Sequence, residues 1–199
     1  MIALMGTTWT IALAIGSAIM GALVGAYLTN AAARRLEKRK AAADQVTRVR
    51  EACANLRRVT ERWYSAIADA IDPTQAPGVI FNNIAKLYRD GKYEQEINSY
   101  LSVIRTDPSC SEVLDAAAIW SKHAYDKKGV TAGKIYAAFN MNPPLSRRYP
   151  GIQGVQESPE ARKDYLNAIQ SELRAHYSHF DSVLGAAIDR LAQTESQSL

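Results

Sequence analysis

The sequence is short of the residues on which several classes of protein depend. Its 199 residues include only two cysteines, Cys53 and Cys110, too few for a secreted domain held together by disulfides. Glycine (11) and proline (7) are at ordinary levels and 47% of the residues are hydrophobic, which excludes collagen-like and disordered chains. The length therefore suits one folded domain, or one domain with an appendage.

The motifs of common catalytic and cofactor sites are also missing. The sequence has no phosphate-binding glycine loop, no serine elbow after a strand and no paired-cysteine metal motif. Cys110 is predicted in the first turn of a helix, where the dipole lowers a thiol pKa, but a nucleophile also needs a base within reach. The sequence indicates no such base, so we expect neither an enzyme nor a bound cofactor or metal.

Charge is absent from the first 33 residues, and Arg34 is the first charged side chain. Within this stretch, residues 9–28 are mostly apolar, and as a helix rising about 1.5 Å per residue they span about 30 Å, the thickness of a bilayer's hydrocarbon core. Trp9 lies near one end of the run and Tyr27 and Leu28 near the other, and amphipathic rings favour the membrane interface. The pattern predicts a single transmembrane helix within an anchor over residues 1–33.

A cleaved signal peptide is the alternative to an anchor. Signal peptides carry a basic residue before the apolar run, and this run has none, although Ala31–Ala33 resemble a cleavage site. The basic residues follow the run instead, and the positive-inside rule then keeps that side in the cytoplasm. We expect a bacterial inner-membrane protein with its N-terminus outside and its C-terminal domain cytoplasmic; the bacterial assignment rests on the overall organisation alone.

Positive charge is concentrated after the span. Residues 34–62 carry ten basic and four acidic side chains, a net charge of +6, so the rest of a chain whose total is +4 has a net charge of −2. Such a cluster is attracted to anionic lipid, by about 1 kcal/mol per basic residue near the surface. Nucleic-acid binding is the other use of a basic stripe, but lipid is the simpler partner beside a span, and we expect no nucleic acid. The predicted headgroup contacts are Arg34, Arg35, Lys38, Arg39 and Lys40.

Small residues recur every four positions in the predicted span. Ser17, Gly21 and Gly25 make a ridge, continued by Thr29, along which two membrane helices can approach closely. Glycine is common in membrane helices, so a chance arrangement is the alternative. The ridge predicts self-association of the span.

The chain after the span has helical patterning. No proline or glycine occurs between Tyr27 and Pro73, which predicts a basic juxtamembrane helix over residues 34–71. This helix carries an apolar seam with alternate spacings of three and four, which packs either within a bundle, the interpretation we favour, or as a dimeric coiled coil. The seam consists of Val46, Val49, Cys53, Leu56, Thr60, Trp63, Ile67 and Ala70.

Breakers divide the remaining sequence into further helices. Glycine and proline positions predict helices over about 79–89, 92–105, 109–125 and 131–140, and Ser158 with Pro159 begins a last one. Ser109 and Glu112 have the spacing of a capping box. No segment alternates apolar and polar residues with a period of two, so the sequence predicts no strand. We therefore predict an all-α fold: the transmembrane helix, a helical domain over 72–193 with a long loop at 142–158, and a polar tail at 194–199.

One stretch resembles a tetratricopeptide repeat. The run from Gly91 to Ile97, then Tyr100 and the pair Asp107-Pro108, is similar to the turn and second helix of that repeat, and the similarity covers about residues 81–108. It implies a groove that binds a peptide or partner protein. The residues depart from the repeat at Ile84 and Glu96, where small residues are usual, and no second copy is visible. An ordinary helical hairpin is the alternative.

Two further groups of residues are candidate binding sites. Glu172, His176 and His179 have the spacing of one helix face and resemble part of a metal site, but a site in a bundle needs ligands from a facing helix, and solvent-facing polar residues are the more ordinary interpretation. The long loop carries Arg147, Arg148 and Tyr149, a basic and aromatic group suited to lipid or an acidic partner surface, with a solvated linker as the alternative.

These patterns indicate a class of function but no catalysed reaction. We expect a membrane-anchored scaffold that acts by protein–protein contact, whose partners are the lipid bilayer, another protein and a second copy of itself. The alternative is a membrane-active oligomer, a pore or lysis-related protein, which assembles through the small-residue ridge. Against it, the span offers few polar residues to line a pore.

Overall fold

The fold is known from a computed structural model that describes residues 2–124, 131, 133–135 and 158–198. Side chains are described for these residues except 2–24, 77, 197 and 198. Every regular element in this part of the chain is helical and none is a strand, which confirms the all-α prediction. The predicted loop at 142–158, with Arg147, Arg148 and Tyr149, lies outside the described residues apart from its last residue.

Five helices longer than one turn have both ends within the described residues. They are α1 (Ile2–Ala70), α2 (Pro77–Asp90), α3 (Lys92–Ile104), α4 (Ser111–Ala124) and α5 (Pro159–Ser198). A short 3₁₀ turn, Pro108–Cys110, precedes α4. The chain divides into two compact units, the first ending at residue 45 and the second covering residues 46–197.

The unit over residues 46–197 has one hydrophobic core to which all five helices contribute. The predicted seam of α1 faces this core: Val49, Cys53, Leu56 and Ile67 are fully buried, and the later helices of the same chain cover them. Packing of the seam within a bundle of the same chain, the interpretation that we favoured, is thus confirmed. Gln170 of α5 donates to the Ala68 carbonyl of α1 over 3.1 Å, so the first and last helices are in direct contact.

Helices α2 and α3 form a hairpin about Gly91. Its φ of +62° lies in the left-handed region that glycine adopts without strain, which ends α2 and lets α3 begin at the next residue. Ile84 is fully buried, and Glu96 pairs with Arg62 of α1 at 3.0 Å. The two residues that depart from the tetratricopeptide pattern are therefore used for packing against this chain's own core and α1.

Side-chain caps mark where helical segments begin after the proline and glycine breakers. Ser158 is confirmed as a cap, since its hydroxyl accepts from the Ala161 amide at 3.0 Å. The predicted cap at Ser109 is wrong: Asp107 accepts from the Ser109 amide at 2.9 Å and starts the 3₁₀ turn two residues earlier. Asp side chains readily accept from the backbone amide two residues on, and this contact starts a turn.

Two aromatic side chains join α1 and α2 to the last turn of α4. Trp63 donates from its indole nitrogen to the Ala124 carbonyl at 3.2 Å, and Tyr88 donates its hydroxyl to the same carbonyl at 2.6 Å. Their rings meet edge to face with centroids 5.6 Å apart. We call this group of Trp63, Tyr88 and the Ala124 carbonyl the aromatic latch.

The far end of α5 is also paired with α1. Glu195 accepts from the Thr47 hydroxyl at 2.7 Å and forms an ion pair with Arg50 at 2.6 Å. Further toward the middle of α5, Asp181 forms a bidentate pair with Arg57, with distances of 2.6 and 2.7 Å. Helix α5 continues through the predicted polar tail as far as Ser198.

Of the helices whose side chains the structure describes, none has a stretch both long and apolar enough to cross a bilayer. The predicted span over residues 9–28 falls mostly outside these side chains, including Trp9, Ser17 and Gly21. Tyr27 and Leu28, at its C-terminal end, are described and are 74% and 61% exposed.

Candidate functional site

A cluster of titratable side chains lies where α4 faces α5. His123 belongs to the last turn of α4, and Glu172 and His176 lie one turn apart on α5. One nitrogen or oxygen of each of the three side chains lies within 4.8 Å of those of the other two. Lys134, from the helical residues 133–135, completes the group. We call these four residues the histidine cluster.

Aromatic packing holds the two helices in this register. Trp120, one turn before His123, is fully buried, and its indole lies 5.7 Å from the Tyr177 ring and 6.4 Å from the Phe180 ring of α5. Residues three or four apart share a helix face, so the contact made by Trp120 also turns His123 toward α5. His176, next to Tyr177, then meets His123.

The geometry of the cluster is that of two stacked imidazoles beside a shared carboxylate. The ring centroids of His123 and His176 are 3.7 Å apart and the planes differ by 24°. His123 Nδ1 lies 3.8 Å from one oxygen of Glu172, and the Lys134 ammonium donates to the other. The Tyr165 hydroxyl donates to the Lys134 carbonyl at 3.5 Å, which ties this segment to α5.

Burial sets the protonation of His123. Its side chain is 17% exposed, and burial, followed by the neighbouring His176, lowers the pKa of His123 below its ordinary value. Glu172 opposes this effect, while Lys134 adds to it. The imidazole is therefore neutral near pH 7, and its buried Nδ1 has no hydrogen-bond partner among the described residues.

Of the three α5 residues whose spacing resembles part of a metal site, two lie in the cluster and the third does not. Glu172 and His176 belong to the cluster, but His179 is exposed and takes no part in it. A separation of seven residues places His179 on roughly the same side of α5, yet two turns further along the axis from Glu172. His123 joins the cluster from a facing helix, which the pattern of a single helix does not reveal, and no pattern in the sequence indicates Lys134.

The two thiols are buried structural groups. Cys53 and Cys110 are both free and buried. Burial raises the pKa of Cys53 to about 12, and burial also raises the pKa of Cys110. A position at a helix start can lower a thiol pKa, but at Cys110 the loss of hydration on burial raises it instead.

The five cations predicted to meet lipid headgroups are all exposed. Arg34, Arg35, Lys38, Arg39 and Lys40 form no ion pair with another described residue. Leu36, within the same run, is 56% exposed. This segment of α1 therefore presents both cationic and aliphatic groups to its surroundings.

The small-residue ridge is described at its last position only. Gly25 is exposed, and a Cβ added there would meet no described atom beyond its own turns of helix within 4 Å. The Thr29 hydroxyl donates to the Gly25 carbonyl at 2.8 Å. The rest of the ridge, Ser17 and Gly21, lies outside the described side chains, so self-association stays a prediction.

Comparison of the chain with protein-family models, with curated proteins and with solved structures returns no match.

Proposed function

We propose that this protein is a single-pass membrane-anchored interaction module, which holds a helical unit at the cytoplasmic face of a bacterial inner membrane and acts by contact with other proteins rather than by catalysis. The observation that carries the proposal is the segment after residue 26, where exposed Tyr27 and Leu28 are followed by five exposed cations. Apolar and aromatic side chains next to basic side chains without ion-pair partners are typical of a segment that lies at a membrane interface.

The charge distribution supports the orientation. The basic groups follow the apolar run, and none precedes it, so moving this side across a membrane would require five cations to cross. Each basic residue near an anionic surface contributes about 1 kcal/mol of attraction. The compact unit over residues 46–197 would then stay on the side where the cations are held.

The compact unit supports a role in binding. The seam of α1 is covered by helices of the same chain, so a partner has to contact other surfaces of the unit. Val79 of α2 and Ile119 of α4 are each 47% exposed, and exposed aliphatic side chains favour protein contact. Anchoring raises the effective concentration of such surfaces for any partner confined to the same membrane.

The test compares the full chain with a version that starts at Arg34. We expect the full chain in the membrane fraction after alkaline carbonate extraction, and the shortened chain in the supernatant with unchanged helical circular dichroism. Recovery of the full chain in the carbonate supernatant, or of the shortened chain in the membrane pellet, would refute the anchor.

A second comparison tests the orientation. Replacing the five cations by glutamine should increase labelling of the C-terminal unit by a membrane-impermeant reagent in spheroplasts. The matched control replaces five exposed cations of the compact unit (Lys86, Arg89, Lys92, Arg105 and Lys163) and should leave labelling at the low level of the natural chain. Equal labelling of the two variants would contradict the role of the basic segment.

A further inference from the structure

The histidine cluster has the composition of a metal-ion site. Two imidazoles and one carboxylate converge from two helices, and these are the side chains that bind Zn²⁺ and related divalent transition metals. Around one tetrahedral Zn²⁺, ligand atoms lie about 3.4 Å apart, because each is about 2.0–2.1 Å from the ion. The three atoms, now within 4.8 Å of one another, need only side-chain rotations to reach that separation.

We propose that His123, Glu172 and His176 form a binding site for a divalent transition metal, Zn²⁺ by its chemistry, which clamps α4 to α5, and that Lys134 is a built-in competitor for it. The proposal is independent of the membrane-anchoring function, because it concerns groups of the compact unit alone. Three protein ligands leave a further coordination position for water or for a group of a bound partner.

The unsatisfied nitrogen of His123 points to a ligand. A buried polar atom without a hydrogen bond is costly, and its occurrence in a folded protein calls for an explanation. His123 Nδ1 is such an atom, and one oxygen of the Glu172 carboxylate lies 3.8 Å from it. An ion between this nitrogen and the carboxylate would satisfy both groups.

The arrangement of the two imidazoles shows what an ion would require of them. The two rings lie stacked, so at least one of them rotates about its Cβ–Cγ bond to direct its lone pair at the ion. His176 is half-buried at the surface, which gives an ion a way in.

Lys134 already places a positive charge on the Glu172 carboxylate, which the metal ion would also have to contact. Its ammonium donates to one oxygen of Glu172, while the other oxygen faces His123. The incoming ion must share Glu172 with this ammonium or displace it, and the two positive charges repel each other at short range. The lysine therefore weakens binding, and its removal should strengthen it.

The experiment uses the full, tag-free chain in detergent micelles. Zn²⁺ is titrated by calorimetry, and Co²⁺ serves as a spectroscopic probe whose visible d–d bands report nitrogen and oxygen ligands. We expect one ion per chain, and losses of more than about tenfold in affinity for His123→Ala, Glu172→Gln and His176→Ala, since even outer-shell partners of metal sites cost 10- to 100-fold.

Two further variants make the test specific. His179→Ala removes the exposed histidine one turn from His176 and should leave the affinity unchanged. Lys134→Met removes the competing charge at similar side-chain length and should tighten binding severalfold, an outcome that a general loss of folding cannot produce.

The proposal is overturned by any of three results. The first is a natural chain that binds no Zn²⁺ or Co²⁺. The second is binding that the His176→Ala and Glu172→Gln variants retain. The third is a Co²⁺ spectrum dominated by thiolate charge-transfer bands, which would place the ion at the cysteines. Circular dichroism checks each variant's fold, and if His123→Ala is unfolded, the two α5 variants and Lys134→Met decide the matter.

Discussion

The aromatic latch allows the stability of the compact unit to be tested at a single acceptor atom. The last carbonyls of a helix have no donors within that helix, and the Ala124 carbonyl, in the last turn of α4, accepts from both Trp63 and Tyr88. Tyr88→Phe removes one donor while Trp63 still satisfies the carbonyl. We therefore expect a loss of about 1 kcal/mol in the free energy of unfolding, the net value of one hydrogen bond.

The double variant should be worse than the sum of its parts. Trp63→Phe alone removes the other donor and part of a buried ring, which costs about 2–3 kcal/mol, whereas both changes together deprive the carbonyl of its two side-chain donors. Leaving a buried acceptor unpaired adds about 1–3 kcal/mol, so the double-mutant cycle should give a coupling energy of at least about 1 kcal/mol.

The measurement is urea unfolding of the full chain in a mild detergent, followed by circular dichroism. Tyr93→Phe is the matched control, because the Tyr93 ring also packs on Trp63, at 4.9 Å, and the structure shows no hydrogen bond from its hydroxyl to a described residue. Additive effects in the cycle, or a Tyr93→Phe loss as large as that of Tyr88→Phe, would refute the reasoning.

Two further predictions concern a buried thiol and the small-residue ridge. The pKa of Cys53 is about 12 in the folded chain against 9.0 in the unfolded one, so above pH 9 only the unfolded state releases this proton and stability falls as the pH rises toward 12. The urea midpoint of Cys53→Ala should fall less steeply with pH in this range than that of the natural chain, and parallel slopes would show that the thiol does not titrate this way. In the ridge, a Cβ at Gly25 meets no described atom beyond its own turns of helix, so Gly25→Ile should reduce signal in a membrane two-hybrid assay through contact with a second copy. Ala26→Ile adds similar bulk on a neighbouring face and should have less effect; equal effects, or none from either change, would contradict self-association along the ridge.

The helices of the compact unit were predictable because local rules decide them. The three–four spacing of the α1 seam correctly identified buried positions such as Leu56 and Ile67, and glycine and proline marked where helices end. The cap at Ser109 was wrong because Asp107, two residues earlier, accepts from the Ser109 amide and begins a 3₁₀ turn at Pro108. The capping-box spacing alone does not show that a turn precedes the helix.

The histidine cluster was only half predictable, for a different reason. Periodicity along α5 correctly joined Glu172 to His176, since both lie on one helix. His123 comes from α4, and its approach depends on how Trp120 packs α4 against α5, while Lys134 comes from a third segment. The sign of the Cys110 pKa shift also depends on the burial of the thiol in the core, which a helix position does not reveal.

The pairing of Glu195 with Thr47 and Arg50 has a practical consequence for experiments. Residues 47 and 195 are near the two limits of the compact unit, so the chain enters and leaves that unit at the same pole. A fluorescent protein or affinity tag fused to the C-terminus would therefore emerge beside the entry point and crowd it. A label placed at the α2–α3 turn, next to Gly91, is the alternative when that pole has to stay accessible.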